Sequence, residues 1–157
     1  MSAVVAADRA DLTGQIKDKR LARLFGYWQA RKDARRFPSR GDIDPLDFPY
    51  ILGSVMLVDV LRPSLRFHVR LHGTEMVARA QYDLTGKLID DLPISEYRDY
   101  VLERCRSLIA SGEPFLARHN RVVDGFQRRY EALWLPLSDD GAAVTMLLCA
   151  LIYDPLS

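Results

Sequence analysis

The sequence predicts an α+β domain: a five-stranded antiparallel sheet with helices on one face, and an amphipathic helix on its N-terminal side. Three observations carry that prediction. Leu21, Leu24, Phe25 and Trp28 recur at helical spacing. From Ser54 to His72 the apolar period shortens to two. The last third holds three long strand-like segments, 114–123, 126–137 and 142–152, parted by Asp124-Gly125 and Asp139-Asp140-Gly141. Asp-Gly supplies the positive φ angles that tight hairpin turns need.

The elements follow in chain order. A first helix is expected from about Leu12 to Arg35, its stripe flanked by basic residues, with Pro38 disfavouring helix at Phe37. Asp44-Pro45 reads as an N-cap and first helical position, opening a short helix to about Leu52. Val55–Val60 is an apolar run of strand length, and Arg62-Pro63-Ser64 reads as a turn. Phe67, Val69 and Leu71 then alternate with Arg66, His68, Arg70 and His72, which predicts a strand with one apolar face. Gly73-Thr74 caps a short helix to about Ala80. Ser95 reads as the N-cap of a longer helix carrying Tyr97, Val101, Cys105, Leu108 and Ile109, stopped by Gly112. In the final strand Val144, Met146 and Leu148 form one face and Leu147, Cys149 and Leu151 the other. A strand apolar on both faces is normally covered from both sides. The first helix or a second subunit is the expected cover on the side away from the central helices.

The whole fits one domain of 157 residues, with residues 1–40 as an N-terminal extension and basic helix and 41–157 as the domain proper. A net charge of +1 excludes a strong overall field. That neutrality is a cancellation. Residues 17–40 carry nine Lys or Arg against two Asp, whereas 41–157 carry twelve against seventeen Asp or Glu. Cys105 and Cys149 are too few for a disulfide framework or thiolate zinc site. Met1–Ala10 lacks the basic and apolar regions of a secretory signal, and the longest nearly apolar run, 142–153, is too short to span a bilayer. A cytoplasmic protein with no membrane contact is expected.

Several strings resemble those of the PAS domain, and in particular a stand-alone PAS family found mainly in alphaproteobacteria. Arg70-Leu71-His72-Gly73-Thr74 is similar to its R-L-x-G-T. Asp83-Leu84-Thr85-Gly86-Lys87-Leu88, with Asp91-Leu92 behind it, is similar to D-x-T-G-x-x-x-x-D-L. Phe37-Pro38-Ser39-Arg40 and Asp42-Ile43-Asp44-Pro45 resemble P-[SA]-R-x-D-[IF]-D-P. The resemblance covers about residues 20–153 and implies sheet order 2-1-5-4-3. It also implies a sensory or protein-interaction module in signal transduction, not an enzyme, with room for a small ligand between sheet and middle helices. A homodimer through the N-terminal helix and an unidentified signalling partner are further expectations of the same kind. No cofactor is expected. The G-x-N-C-R-F-L-Q of flavin-binding PAS domains is absent, and residues 96–111 contain no histidine of the haem-binding type.

The candidate ligand-pocket residues are Phe67, Val69, Phe115, His119, Tyr130, Trp134 and Met146, which read equally as ordinary core. Leu21, Leu24, Phe25 and Trp28 are the candidate dimer or packing helix. His68 and His72 suggest a metal only if helical; on a strand four residues span roughly 13 Å, so the two rings cannot share an ion. Asp90-Asp91 and Asp139-Asp140 lie in turns and point apart, which leaves no carboxylate pair for acid–base work. Two other readings stay open. One is a small cone-fold enzyme of the ketosteroid-isomerase-like kind, using His119, Tyr130 or Tyr82. The other is a nucleic-acid or cyclic-dinucleotide site at Arg31, Arg35, Arg36 and Arg40, whose R-x-x-x-R spacing occurs in PilZ-type receptors. The [DN]-x-S-x-x-G those receptors add is missing here, so no nucleic acid is expected.

Overall fold

The computed structural model describes residues 2–3, 12–123 and 125–154. The Met1–Ala10 stretch therefore lies mostly outside the described residues. So does Asp124 of the Asp124-Gly125 turn.

A single antiparallel sheet organises the chain. Its strands are β1 (Ser2–Ala3), β2 (Val55–Leu61), β3 (Arg66–His72), β4 (Phe115–Val123), β5 (Phe126–Leu137) and β6 (Met146–Tyr153). Their order in space is β1-β4-β5-β6-β2-β3. Without the two-residue β1, which pairs with Arg118 and His119 on the outer edge of β4, this is the five-stranded order 2-1-5-4-3. The sheet is open, with β3 at the edge opposite β1. A cone-fold enzyme needs that sheet wrapped around a pocket, and this one is covered on both faces by helices instead.

Two apolar layers sandwich the sheet. Helix α1 (Lys19–Lys32) lays Leu21, Leu24, Phe25 and Trp28 on one face, against Leu133, Leu135, Leu148 and Ile152. Trp28 stacks on Phe25 and donates its indole N–H to the carbonyl of Pro136 at 2.9 Å. Helices α2 (Thr74–Ala80) and α3 (Ser95–Ser111) cover the other face, where Val101, Cys105 and Leu108 meet Trp134, Leu147 and Cys149. Thus β6 is buried along both faces, and the cover on the far side is the chain's own α1. Gly112, at φ 65°, ends α3 as its sequence position predicts.

The family-like strings are structural braces. A Cβ on Gly73 would collide with the backbone carbonyl of Gly53, so only glycine lets β3 turn into α2 this close to β2. In the D-L-T-G stretch, Asp83 accepts from the Thr85 amide, Gly86 donates to the Val69 carbonyl, and Val69 donates to Lys87. That stretch covers the otherwise open edge of β3. Asp42 accepts from the Ser39 amide, the Arg35 guanidinium and the Ser39 hydroxyl, which together hold its carboxyl at about 2.

Four local expectations are corrected. Helix α1 begins at Lys19 and not near Leu12, because Asp18 is the N-cap and the Lys17 and Asp18 amides bond to Glu131. The segment after Asp44-Pro45 is two short 3₁₀ turns, 45–47 and 52–54. Ser95 is the first residue of α3, after Ile94 in the cap position. Leu71 does not share a face with Phe67 and Val69. The register shifts between Leu57, opposite Leu71, and Val58, opposite Val69, and this bulge turns Leu71 onto the α1 side.

Candidate functional site

Strand register builds the most distinctive polar site. Tyr130 in the middle of β5 stands opposite His119 of β4 on one side and Tyr153 of β6 on the other. Directly opposite residues share a face, so the three form a row across the sheet on the α2–α3 side. The His119 and Tyr130 rings stack at 4.6 Å, and Tyr130 meets Tyr153 at 5.4 Å. From α3, the Tyr100 hydroxyl and His119 Nε2 share a hydrogen bond of 2.7 Å, and Tyr97 stacks on Tyr100. From α2, the Arg79 guanidinium lies 4.4 Å over the Tyr153 ring. Burial lifts the Tyr97 hydroxyl well above its ordinary pKa and raises Tyr82 as well, so both are neutral hydrogen-bonding groups.

The next row lies back to back with this one, on the α1 side: Arg118, Glu131 and Ile152. Glu131 is buried and accepts from the amides of Lys17 (3.0 Å) and Asp18 (2.8 Å) and from Arg118 Nε (2.8 Å). Arg118 also donates to the Gln15 carbonyl. One carboxylate and one guanidinium therefore tie the start of α1 to the sheet. Buried charges are tolerated where they are paired and saturated in this way.

Because β6 ends at Tyr153 while the β4–β5 hairpin runs on, both rows open at this end into one cleft of about 530 Å³. Its walls are Lys17, Asp18 and Arg20 before and in α1, residues 118–120 and 129–131 of the hairpin, and residues 152–154. Ligand sites usually have volumes of about 300–1,000 Å³.

Six of the seven candidate pocket residues, Phe67, Val69, Phe115, His119, Tyr130 and Trp134, lie on the α2–α3 face. Of these, His119 and Tyr130 reach the cleft. Phe115 and Trp134 pair farther along the strands, where Arg104 lies over the Phe115 ring. Phe67 and Val69 belong to packed core. Met146 is corrected: it faces the α1 layer, because β6 starts there and parity does not carry over from Val144, which lies on the other side. The contributions of Tyr153, Tyr100, Arg118, Arg129 and Glu131 were not anticipated. The two-residue Asp124-Gly125 turn does contain the signal, since setting 123 opposite 126 puts His119 opposite Tyr130 by counting.

The remaining candidates have structural roles. His72 Nδ1 accepts the Leu84 amide at 3.1 Å, and burial lowers its pKa, so it is a neutral anchor for the D-L-T-G stretch. His68 and Arg70 both pair with Asp59. Burial pushes the Cys105 thiol up to about 12 and raises Cys149 too, which leaves both unreactive. The arginines of the two R-x-x-x-R spacings are used internally: Arg31 on Asp47, Arg35 on Asp42, Arg36 on the Ser111 carbonyl and Arg40 on the Ile43 carbonyl. Among the described residues no group of three His, Cys, Asp or Glu is placed to hold a metal ion, and no helix is long and apolar enough to cross a membrane.

An open sheet in order 2-1-5-4-3, with a helical middle and a three-stranded C-terminal meander, defines a sensor-type α+β domain. The family model described as PAS domain matches residues 16–152, nearly the whole chain and α1 with it. The chain belongs to the PAS domain family, whose members are sensory and signal-transduction modules. Among solved structures, it is similar to a domain of an HTR-like protein from Haloarcula marismortui ATCC 43049. That similarity has 21% identity and a TM-score of 0.39, and covers 63% of this chain and 98% of that one. No curated protein sequence matches the chain.

Proposed function

We propose that this PAS domain is a non-catalytic sensory and protein-interaction module of bacterial signal transduction, working in the cytoplasm, and that it senses a small molecule at the row His119, Tyr130 and Tyr153. The observation that carries this reading is the opening of that row into the cleft. Farther along the same face Phe67, Val69, Cys105, Leu108 and Leu147 are each at most 2% exposed. At this end the layer turns into hydroxyl-bearing rings and a histidine beside a space of ligand size. The row also adjoins Arg118 and Glu131, which hold the start of α1, so a ligand here is positioned to change how that helix is held. The signal then passes by association with a partner protein. A homodimer through Leu21, Leu24, Phe25 and Trp28 requires α1 to leave its own sheet, because that stripe is already buried on it.

The non-catalytic reading is supported by the chemistry of the row. Its titratable groups are a histidine and tyrosines, while the buried carboxylate nearby, Glu131, lies on the opposite face with three donors on it. A general acid–base pair needs both groups within reach of one substrate.

Native mass spectrometry of the freshly purified full chain tests the reading. It predicts a small molecule bound at one per chain, lost in a folded Tyr130→Ala variant. A bare chain that is also not stabilised by the low-mass fraction of a bacterial extract would overturn the ligand-sensing part.

A further inference from the structure

We infer that the outward face of α1, together with the 3₁₀ turn at 45–47, is a docking surface for an acidic segment of a partner protein that carries an apolar side chain. This rests on the reading that the signal passes by association, not on the cleft, and adds the surface and the chemistry of the partner.

Charge is the first argument. Helix α1 holds five Lys or Arg and no Asp or Glu. Two of the five are matched from outside the helix, Arg20 by Asp18 and Arg31 by Asp47. Lys32 turns back onto the carbonyls of Asp33 and Arg35. Lys19 and Arg23 are left: both are exposed, and among the described residues neither has a carboxylate within ion-pair distance. Four positions apart, they share one side of the helix. Lys19 is also the first helical residue. A helix N-terminus carries partial positive charge and disfavours cations, so a carboxylate brought by a partner relieves an unfavourable placement.

Shape is the second argument. By helical geometry Lys19, Arg23, Gly26 and Ala30 lie opposite the buried Leu21–Trp28 stripe, and all four are exposed. A Cβ on Gly26 would meet no atom within 4 Å, which leaves room for another backbone to approach. Beside this face stands Leu46, 81% exposed and the most exposed large apolar side chain among the described residues. Single exposed leucines are ordinary, but this one is held in place. Its amide donates to Asp44, the Asp44 amide donates to the Tyr27 hydroxyl, and that hydroxyl donates to Asp47. Phe48 behind it is fully buried, and Arg23 lies 4.0 Å over the Tyr50 ring, which joins the segment to the cationic face. An anchor already fixed loses little freedom on binding.

The carboxylates around the surface decide the kind of partner. Asp18, Asp42 and Asp47 are paired with Arg20, Arg35 and Arg31, and Glu75 accepts from the Ser54 hydroxyl. Asp33 and Asp44 carry no ion pair among the described residues, and both lie toward the C-terminal half of α1. The surface is therefore cationic at one end and apolar with acidic neighbours at the other. A segment with its carboxylates and its apolar side chain set apart fits that division, whereas a continuous polyanion such as nucleic acid does not.

Selection of short random peptides on the full chain, followed by anisotropy titration and ¹H–¹⁵N NMR of the enriched ones, tests the inference. Enriched peptides should carry Asp or Glu together with a large apolar residue, bind more weakly as salt rises, and move amides of residues 19–30 and 44–50. Lys19→Glu, Arg23→Glu and Leu46→Ala should each weaken them about fivefold, with the fold intact by circular dichroism; Arg98→Glu on α3 should not. Enrichment of basic or purely apolar peptides, shifts centred elsewhere, or no enrichment overturns the inference. Tighter binding of this face to short duplex DNA or to phosphatidylglycerol vesicles than to any selected peptide does so too. Each of these failures leaves the sensing of a small molecule in the cleft standing.

Discussion

Replacing Trp28 with alanine tests whether α1 is part of the fold or a separable arm. Trp28 is 3% exposed, stacks on Phe25 at 6.0 Å and donates to the Pro136 carbonyl. Removing an indole from such a site costs about 3–5 kcal/mol, through lost transfer energy and the cavity left behind. For a domain of this length each kcal/mol moves the melting temperature by about 2–4 °C, so a fall of roughly 10 °C is expected. Urea unfolding of both proteins at 1 and 100 µM is the assay. Because α1 docks on its own sheet, neither midpoint should change with concentration, whereas a helix docked on a second copy links stability to concentration. A loss below about 1 kcal/mol, or a wild-type midpoint that rises with concentration, would refute the reasoning.

Three further outcomes follow from the geometry. Glu131→Ala leaves the Arg118 guanidinium and two backbone amides without their acceptor, and should cost about 3 kcal/mol in urea unfolding. Gly73→Ala forces a methyl group onto the Gly53 carbonyl, and a loss of about 2 kcal/mol is expected from calorimetry. Asp42, held at about 2, lies below its unfolded value of about 3.9, so its stabilisation is complete at neutral pH and disappears as pH falls from about 4 through about 2. The urea midpoints of wild type and Asp42→Asn should therefore differ at pH 7 and converge near pH 2. Solvent screening keeps the difference below about 1 kcal/mol.

What could be read from the sequence and what could not divide along physical lines. Local rules were enough where turn chemistry and periodicity agree. The Leu21–Trp28 stripe, the Gly112 stop and the β4–β5 hairpin all stand where sequence places them. They failed where a tertiary partner decides. Nothing local shows that Glu131, over a hundred residues away, takes the amides of Lys17 and Asp18 just before α1. Nor does alternation reveal the bulge that separates Leu71 from Val69. The candidate site was half legible for the same reason. His119 and Tyr130 were singled out one by one, but their stacking, and the placing of Tyr153 and Tyr100 beside them, depend on three strands in register and a helix laid across them. The basic run at 31–40 reads in the sequence as a packing helix before it reads as a binding patch, and in the fold Arg31, Arg35 and Arg36 meet Asp47, Asp42 and the Ser111 carbonyl.

The most direct test of the sensing site is the ¹H–¹⁵N spectrum of the full chain, recorded with and without the low-mass fraction of a bacterial extract. Shifts centred on Tyr100, residues 118–120, 129–131 and 152–154, abolished by Tyr130→Ala, are the predicted result. Shifts centred instead on Phe67, Val69 and Leu147, or an unchanged spectrum, would contradict it.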